Sequence, residues 1–216
     1  YAGVTTVSNG ILNIQNSTAL GTTAGDTSVA AAAELQLQGG IVVAAGETLS
    51  LTAGATLRNI SGSNTWTDTI TLANVTGATN IISDSGTLTL GAIDDTGGNN
   101  KGLTFDGAGN VIIGGTLTSG GSQMPLIKNG TGTVTLSGAS NAYGGTTTVN
   151  RGTLTLDYTG SNTTKLADGD ALILGGGTVN LSGGTHTEVV ASTTIAEGAS
   201  SITRAGLTTP PVAITH

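Results

Sequence analysis

One short phrase, Gly-Thr-Leu-Thr-Leu, returns with small variations along the chain. It stands at 86–90 and 152–156, as GTVTL at 132–136 and as GTVNL at 177–181. Leu or Val at every second position, with a polar residue between, is the period of a strand that buries one face and wets the other. Five residues cannot sustain a sheet alone, so each such strand must stack on another. Further alternating runs fill the intervals: TTVSNGILNI (5–14), ELQLQGGIVV (34–43), ETLSLTAGATL (47–57), NVIIGGTLTSG (110–120) and DALILGGGTVNLSG (170–183). Clusters of Gly, Asn, Ser and Asp separate them and supply the positive-φ positions of tight turns. The best helical candidate, TSVAAAAELQLQ (27–38), runs straight into strand alternation, so the chain is expected to be all-β.

Two architectures bury such strands, a β-sandwich and a parallel β-solenoid. A sandwich carries hairpin signals and an aromatic-rich core. Here near-identical strands recur with small residues at the bends, as expected when coils lie in register and like side chains stack in ladders. Aromatic residues make up only 2% of the 216 residues: Tyr1, Trp66, Phe105, Tyr143 and Tyr158. The interior must therefore be narrow and tiled with Val, Ile, Leu and Ala. The expectation is a β-helix over residues 1–204 with about ten coils of ~20–24 residues each. Outward faces should carry Thr, Ser and Asn. The closing AGLTTPPVAITH (205–216) breaks the pattern, since Pro210-Pro211 cannot donate to a ladder. It reads as a linker or frayed tail.

Charge narrows the function. The formal net charge is −7, and the six basic residues, Arg58, Lys101, Lys128, Arg151, Lys165 and Arg204, are scattered singly. That excludes a nucleic-acid footprint and a polybasic membrane patch. No run of ~20 apolar residues suited to crossing a bilayer is present. The chain has no Cys, which removes thiolate metal sites, thiol chemistry and disulfides.

The opening of the chain is duplicated. Tyr1–Leu12, YAGVTTVSNGIL, aligns with Tyr143–Leu154, YGGTTTVNRGTL, with seven of twelve positions identical. Residues 128–142, KNGTGTVTLSGASNA, have no counterpart before Tyr1, and the expectation is a start partway through a repeat of a longer parent chain.

The stretch 128–156 closely resembles the passenger-associated transport repeat of bacterial autotransporters. Lys128, Gly130, Gly132, Val134, Leu136, Gly138, Asn141, Tyr143, Gly145, Thr147, Val149, Gly152 and Leu154 occupy the places of that family's pattern, with Val134 where the family has Leu. The resemblance covers this complete unit and the partial unit at 1–14. It implies a right-handed, single-stranded parallel β-helix, carried across an outer membrane by a translocator domain and displayed or released outside the cell. It implies no ligand. In coil geometry, Tyr143 would pack on an adjacent coil, while Gly130, Gly132, Gly144, Gly145 and Gly152 would form corners and turns.

A search for chemistry returns little. His186 and His216 are the only imidazoles, and no zincin, nucleophile-elbow or P-loop motif is present. Asp94-Asp95 and Asp168-Gly169-Asp170 are the only close acidic pairs; on a β-helix such pairs could hold calcium or act as acid and base on a polysaccharide. Solvated turn residues are the plainer reading, and the calcium-binding nonapeptide pattern is missing. Trp66 could stack on a sugar or pack beneath a loop. Six N-x-[ST] sequons (Asn16, Asn59, Asn74, Asn129, Asn162, Asn180) are no more than a Ser/Thr-rich chain generates by composition. No catalytic, cofactor-binding or metal-ligating residue is assigned, and no cofactor is expected. The reading is a non-enzymatic stalk segment of a large secreted or surface-displayed protein that supports folding during export and adhesion or display. Its partners would be other copies of itself or cell-surface glycans. The alternative is a polysaccharide-binding or polysaccharide-degrading β-helix.

Overall fold

The computed structural model describes residues 1–73, 76–95, 97, 100–139, 141–206 and 213–215. Every strand pairing among them is parallel, and none of them is helical. The chain winds through three sheets in turn. The first holds Thr5–Val7, Thr27–Val29, Leu49–Leu51, Ile70–Leu72, Ile93–Asp94, Leu117–Gln123 and Ala142–Gly144. The second holds Ile11–Ile14, Glu34–Gln38, Thr56–Ser61, Gly77–Ser83, Lys101–Asp106, Leu126–Lys128, Thr147–Val149, Ala171–Leu174 and Ser192–Ile195. The third holds Val42–Val43, Ser63–Trp66, Thr87–Leu90, Asn110–Ile113, Thr133–Leu136, Thr153–Asp157, Thr178–Ser182 and Ser201–Ala205. This is a β-solenoid. The nine strands of the second sheet mark nine turns, a stack about 40 Å long at ~4.8 Å per strand.

Nine turns stand where ten were expected because the ladder from Leu12 to Ile195 takes about 23 residues per turn, near the long end of the expected range. In the three sheets, register partners one turn apart range from Leu136 and Leu156, 20 residues apart, to Val149 and Leu174, 25 apart. The alternating runs also divide at corners. TTVSNGILNI supplies strands to two sheets, with Ser8-Asn9-Gly10 as the bend between them.

Alternation decides which side chains enter the core. In the second sheet the inward ladder runs from the half-buried Leu12 through Leu35, Leu57, Ile81, Phe105, Lys128, Val149 and Leu174, and its last member, Ile195, is exposed at the end of the stack. In the third it runs Val43, Trp66, Leu90, Ile113, Leu136, Leu156 and Leu181. Burying each such Leu or Ile contributes about 1.5–3 kcal/mol, and these ladders are the main source of stability. Outward positions on the third sheet are mostly Thr, Ser and Asn, as expected, whereas the second sheet also turns Glu34, Gln36, Arg58, Ile82, Ile127 and Ile173 outward. Trp66 is fully buried. It lies on an inward ladder, so it neither faces sugar nor packs beneath a loop.

The alanine run resolves as a corner. Thr27–Val29 and Glu34–Gln38 are strands on different sheets, and Ala32 between them has φ +61°, the one non-glycine residue with positive φ among those described. Gly10 (φ +72°) and Gly54 (φ +82°) take the same left-handed bend in the neighbouring turns. Strand alternation on both sides, with Ala33, Leu35 and Leu37 facing inward, outweighs the helical propensity of four alanines.

At other corners the backbones of successive turns nearly touch. A Cβ on Gly132 would sit 1.9 Å from the Gly109 carbonyl oxygen, and one on Gly138 would sit 1.9 Å from that of Gly115. Only hydrogen fits there. The first sheet stops after Ala142–Gly144. In the next turn Lys165 and Leu166 occupy its place, and the chain later forms a separate two-stranded pair, Thr187–Val189 with Ala213–Thr215. Pro210 and Pro211 of the expected tail lie outside the described residues, as do Asn74 and His216.

Gly138→Ala is expected to destabilise the protein by about 3 kcal/mol or more, because backbone rather than a flexible side chain must give way. Gly160→Ala, where a Cβ meets nothing within 4 Å, should change stability by less than about 0.5 kcal/mol. Urea unfolding midpoints of the two variants measure the difference.

Candidate functional site

Polar groups inside this narrow core are the features most in need of explanation. Three of the six basic residues are buried: Lys101, Lys128 and Lys165. Each arrives there through strand parity or chain path. Lys128 follows Leu126 on the inward side of its strand, and Lys101 shares the inward side with Leu103 and Phe105. In the sequence these lysines are scattered singly, with Lys128 in the repeat pattern, and nothing there places them inside. The signal that would have found them is phase, since Lys101 and Lys128 each stand an even number of residues from an inward Leu.

Each ammonium group satisfies local backbone or acid. Lys128 Nζ donates to the Gly130 carbonyl and, at 3.4 Å, to that of Arg151, so it closes the corner of its own turn and the next. Lys165 Nζ donates to the Gly138 carbonyl and, at 3.5 Å, to that of Ser137. Lys101 Nζ pairs with Asp95 Oδ1, and Ser122 Oγ donates to Asp95 Oδ2 at 2.9 Å. Burial pushes Lys128 down to about 8, with the Asp106 charge pulling the other way. Lys165 is also lowered by burial, against the pull of Asp157 and Glu188.

The repeat residues are almost all internal. Among the thirteen positions that match the transport-repeat pattern, all but the half-buried Gly152 are buried. Asn141 bridges turns: its Oδ1 accepts the Leu117 amide at 3.0 Å and its Nδ2 donates to the Lys165 carbonyl at 2.9 Å. The Tyr143 hydroxyl meets Thr147 Oγ1 at 2.8 Å. The first copy reproduces this contact, with Tyr1 to Thr5 also at 2.8 Å, although Tyr1 is 68% exposed and Tyr143 only 4%. The copies nevertheless lie on different faces. Thr5–Val7 belongs to the first sheet, whereas Thr147–Val149 belongs to the second. The motif therefore encodes strand, corner and strand, independent of the face that receives it.

The densest cluster sits where the first sheet stops. Glu188 is fully buried; its carboxylate accepts the Tyr158 hydroxyl and the amides of Lys165 (3.1 Å) and Leu166 (2.8 Å). Lys165 Nζ lies 5.7 Å from the centre of the Tyr158 ring, and the His186 ring lies 5.5 Å from it on centroids. His186 Nε2 is 4.0 Å from Glu188 Oε2. Burial and the Glu188 charge raise Tyr158, and burial raises Tyr143. Glu188 thus replaces the ladder partners that two backbone amides lose at the break. It is a cap on a chain interruption, in the manner of a helix N-cap on orphan donors.

The acidic pairs do not converge. Asp94 accepts Thr118 Oγ1 at 2.9 Å, while Asp95 points inward to Lys101. Asp170 accepts the Gly145 amide at 2.8 Å, and Asp168 is exposed. Among the described residues, no three His, Asp or Glu side chains are placed to hold a metal ion. A cavity of about 310 Å³ lies between residues 17–23 and 43–47, beside Glu47, whose Oε1 accepts Thr27 Oγ1 at 2.6 Å. No aromatic or basic residue lines it.

Two outcomes are expected. Lys128, lowered to about 8, carries its full cost when both states are charged, below about pH 8, and the lowered Lys165 acts in the same direction. That cost is relieved as pH rises toward the unfolded lysine value of 10.5. The raised tyrosines act oppositely: unfolded Tyr ionises above pH 10.0 while the folded phenol does not, and stability then falls. The urea midpoint should therefore rise from pH 8 to near 10 and decline beyond. A rising limb that survives in the Lys128→Met/Lys165→Met double variant would show that other groups cause it. Glu188→Ala should cost roughly 3 kcal/mol, because buried amides and Lys165 lose their acceptor or counter-charge. Hydrogen exchange should place that loss in the turns around 158–190.

Residues 126–156 match the family model of the passenger-associated-transport-repeat. Comparison with curated proteins and with solved structures finds no match. The matched segment starts two residues before the stretch singled out in the sequence, at the first residue of the strand Leu126–Lys128. A transport repeat whose signature lies inside a parallel β-solenoid fits an autotransporter passenger repeat domain.

Proposed function

We propose that this chain is a non-catalytic stalk segment in the extracellular passenger of an autotransporter-like protein, supporting folding during export and surface display or adhesion. In that reading it belongs to a longer chain with an outer-membrane translocator and lies outside the cell. The observation that carries the proposal is the match at 126–156 together with the burial of that repeat's signature residues. A chain that crosses a narrow pore unfolded must gain its stability outside, without ATP. In a solenoid each turn stabilises its neighbour, so folding propagates from whichever turn forms first. The repeat suits that task because its corners, its capped carbonyls and its Tyr–Thr bond are all supplied from within one or two turns.

The outward ranks of the third sheet suggest how such a stalk adheres. The two ranks from Ser63 and Thr65 to Ser201 and Thr203 carry Ser, Thr, Asn and one Ile, and Asp157 stands beside them at the end of its strand. Many weak hydrogen bonds along a stiff rod can sum to firm attachment, to another copy or to surface glycans.

In the full-length protein, replacing residues 128–156 with a Gly/Ser segment of equal length should reduce the amount displayed on intact cells, measured by protease accessibility. Undiminished display would overturn the export role. Release of sugar from a surface polysaccharide, lost in Asp94→Asn or Asp168→Asn, would overturn the non-catalytic reading.

A further inference from the structure

The chain has two Asn-Gly steps, Asn9-Gly10 and Asn129-Gly130, and the fold treats them oppositely. At the second, the amides of Asn129 and Gly130 both donate to the Phe105 carbonyl, at 2.9 and 3.3 Å. Asn129 Oδ1 accepts Asn150 Nδ2 at 2.8 Å. Gly130 is buried, and a Cβ there would lie 2.2 Å from the Gly107 carbonyl oxygen. At the first step both residues are exposed, the Gly10 amide donates to Asn9's own Oδ1 at 2.7 Å, and a Cβ on Gly10 would meet nothing within 4 Å.

We infer that Asn9 is a site of spontaneous deamidation and that the fold protects Asn129 from the same reaction. The Gly10 amide nitrogen, already held against the Asn9 side-chain amide, loses its proton and attacks Asn9 Cγ. The Cγ–Nδ2 bond breaks, Nδ2 leaves as ammonia, and a five-membered succinimide remains. Water then opens the ring at one of its two carbonyl carbons. Attack at Cγ gives aspartate, and attack at the backbone carbon gives isoaspartate, whose main chain is longer by one methylene.

Ring closure requires the backbone to pivot at the corner, and only the first corner has room. The space is a property of the corner itself. Ala31 and Ala32, which form this bend in the next turn with neighbours above and below, are also exposed. At 129–130 the ring nitrogen would have to abandon Phe105 and move into the backbone of the turn below. Either product adds a negative charge at the bend between Thr5–Val7 and Ile11–Ile14.

The folded protein is incubated at mildly alkaline pH, and the peptides containing Asn9 and Asn129 are followed by mass spectrometry. Isoaspartate is scored by enzymatic methylation. In the folded state Asn9 should convert at least about tenfold faster than Asn129, which reacts only through local opening. In concentrated urea the two should convert at similar rates, since both are followed by Gly. Asn9→Gln should abolish folded-state methylation of the peptide containing residue 9, because the corresponding six-membered ring closes far more slowly. Equal folded-state rates, or an Asn9 that converts only in urea, would overturn the inference.

Discussion

Parallel stacking sets each side chain directly above its counterpart in the turn below, about 4.8 Å away. Everything else in the molecule accommodates that repeat distance. Apolar side chains tolerate it by forming ladders, which is why Leu, Ile and Val occupy the same inward positions turn after turn. Backbone at the corners tolerates it only where no Cβ intervenes, as at Gly132 and Gly138. Carbonyls that leave the ladder at a corner need other donors. The ammonium groups of Lys128 and Lys165 supply them from inside the core, where an uncompensated carbonyl would cost ~1–3 kcal/mol. A low-aromatic composition then follows from the width of the interior. Four of the five aromatic rings, at Trp66, Phe105, Tyr143 and Tyr158, are buried, and the indole N–H of Trp66 is left without a partner.

Much of this was legible in the sequence. Period-two alternation gave the strands, recurrence of the same phrase gave parallel stacking, and the spacing of Lys128, Gly130, Gly132 and Gly138 gave the repeat. Less visible was the use of polar residues inside. Lys101 and Lys128 could have been placed by counting from neighbouring leucines. Lys165 and Glu188 could not, because the turn from Tyr158 to Asp170 has no strand on the first sheet and parity carries no information through an irregular segment. Glu188 sits in a strand with alternating burial, yet its partners at 158, 165 and 166 come from the preceding turn. Contacts between turns of unequal length have no fixed sequence offset, here varying between 20 and 25 residues in the three sheets.

The turn that lacks a first-sheet strand also shows how a solenoid survives an interruption. The second and third sheets pass through it unbroken, with Thr147–Val149 pairing to Ala171–Leu174 and Thr153–Asp157 to Thr178–Ser182. One face can therefore lose its ladder while two maintain the stack. What must be replaced is local: acceptors for two amides, a donor for two carbonyls, and volume. Glu188, Lys165 and Leu166 provide these in that order.

The placement of the two copies of the Tyr–Thr motif on different sheets has a geometric consequence. From Thr5–Val7 to Thr147–Val149 the chain completes six circuits and advances one face further. Viewed down the long axis, the copies point to different compass bearings, as treads do on a spiral stair. A partner travelling straight along one side of the rod meets the motif once and then loses it, so the duplication cannot present a continuous stripe to anything outside.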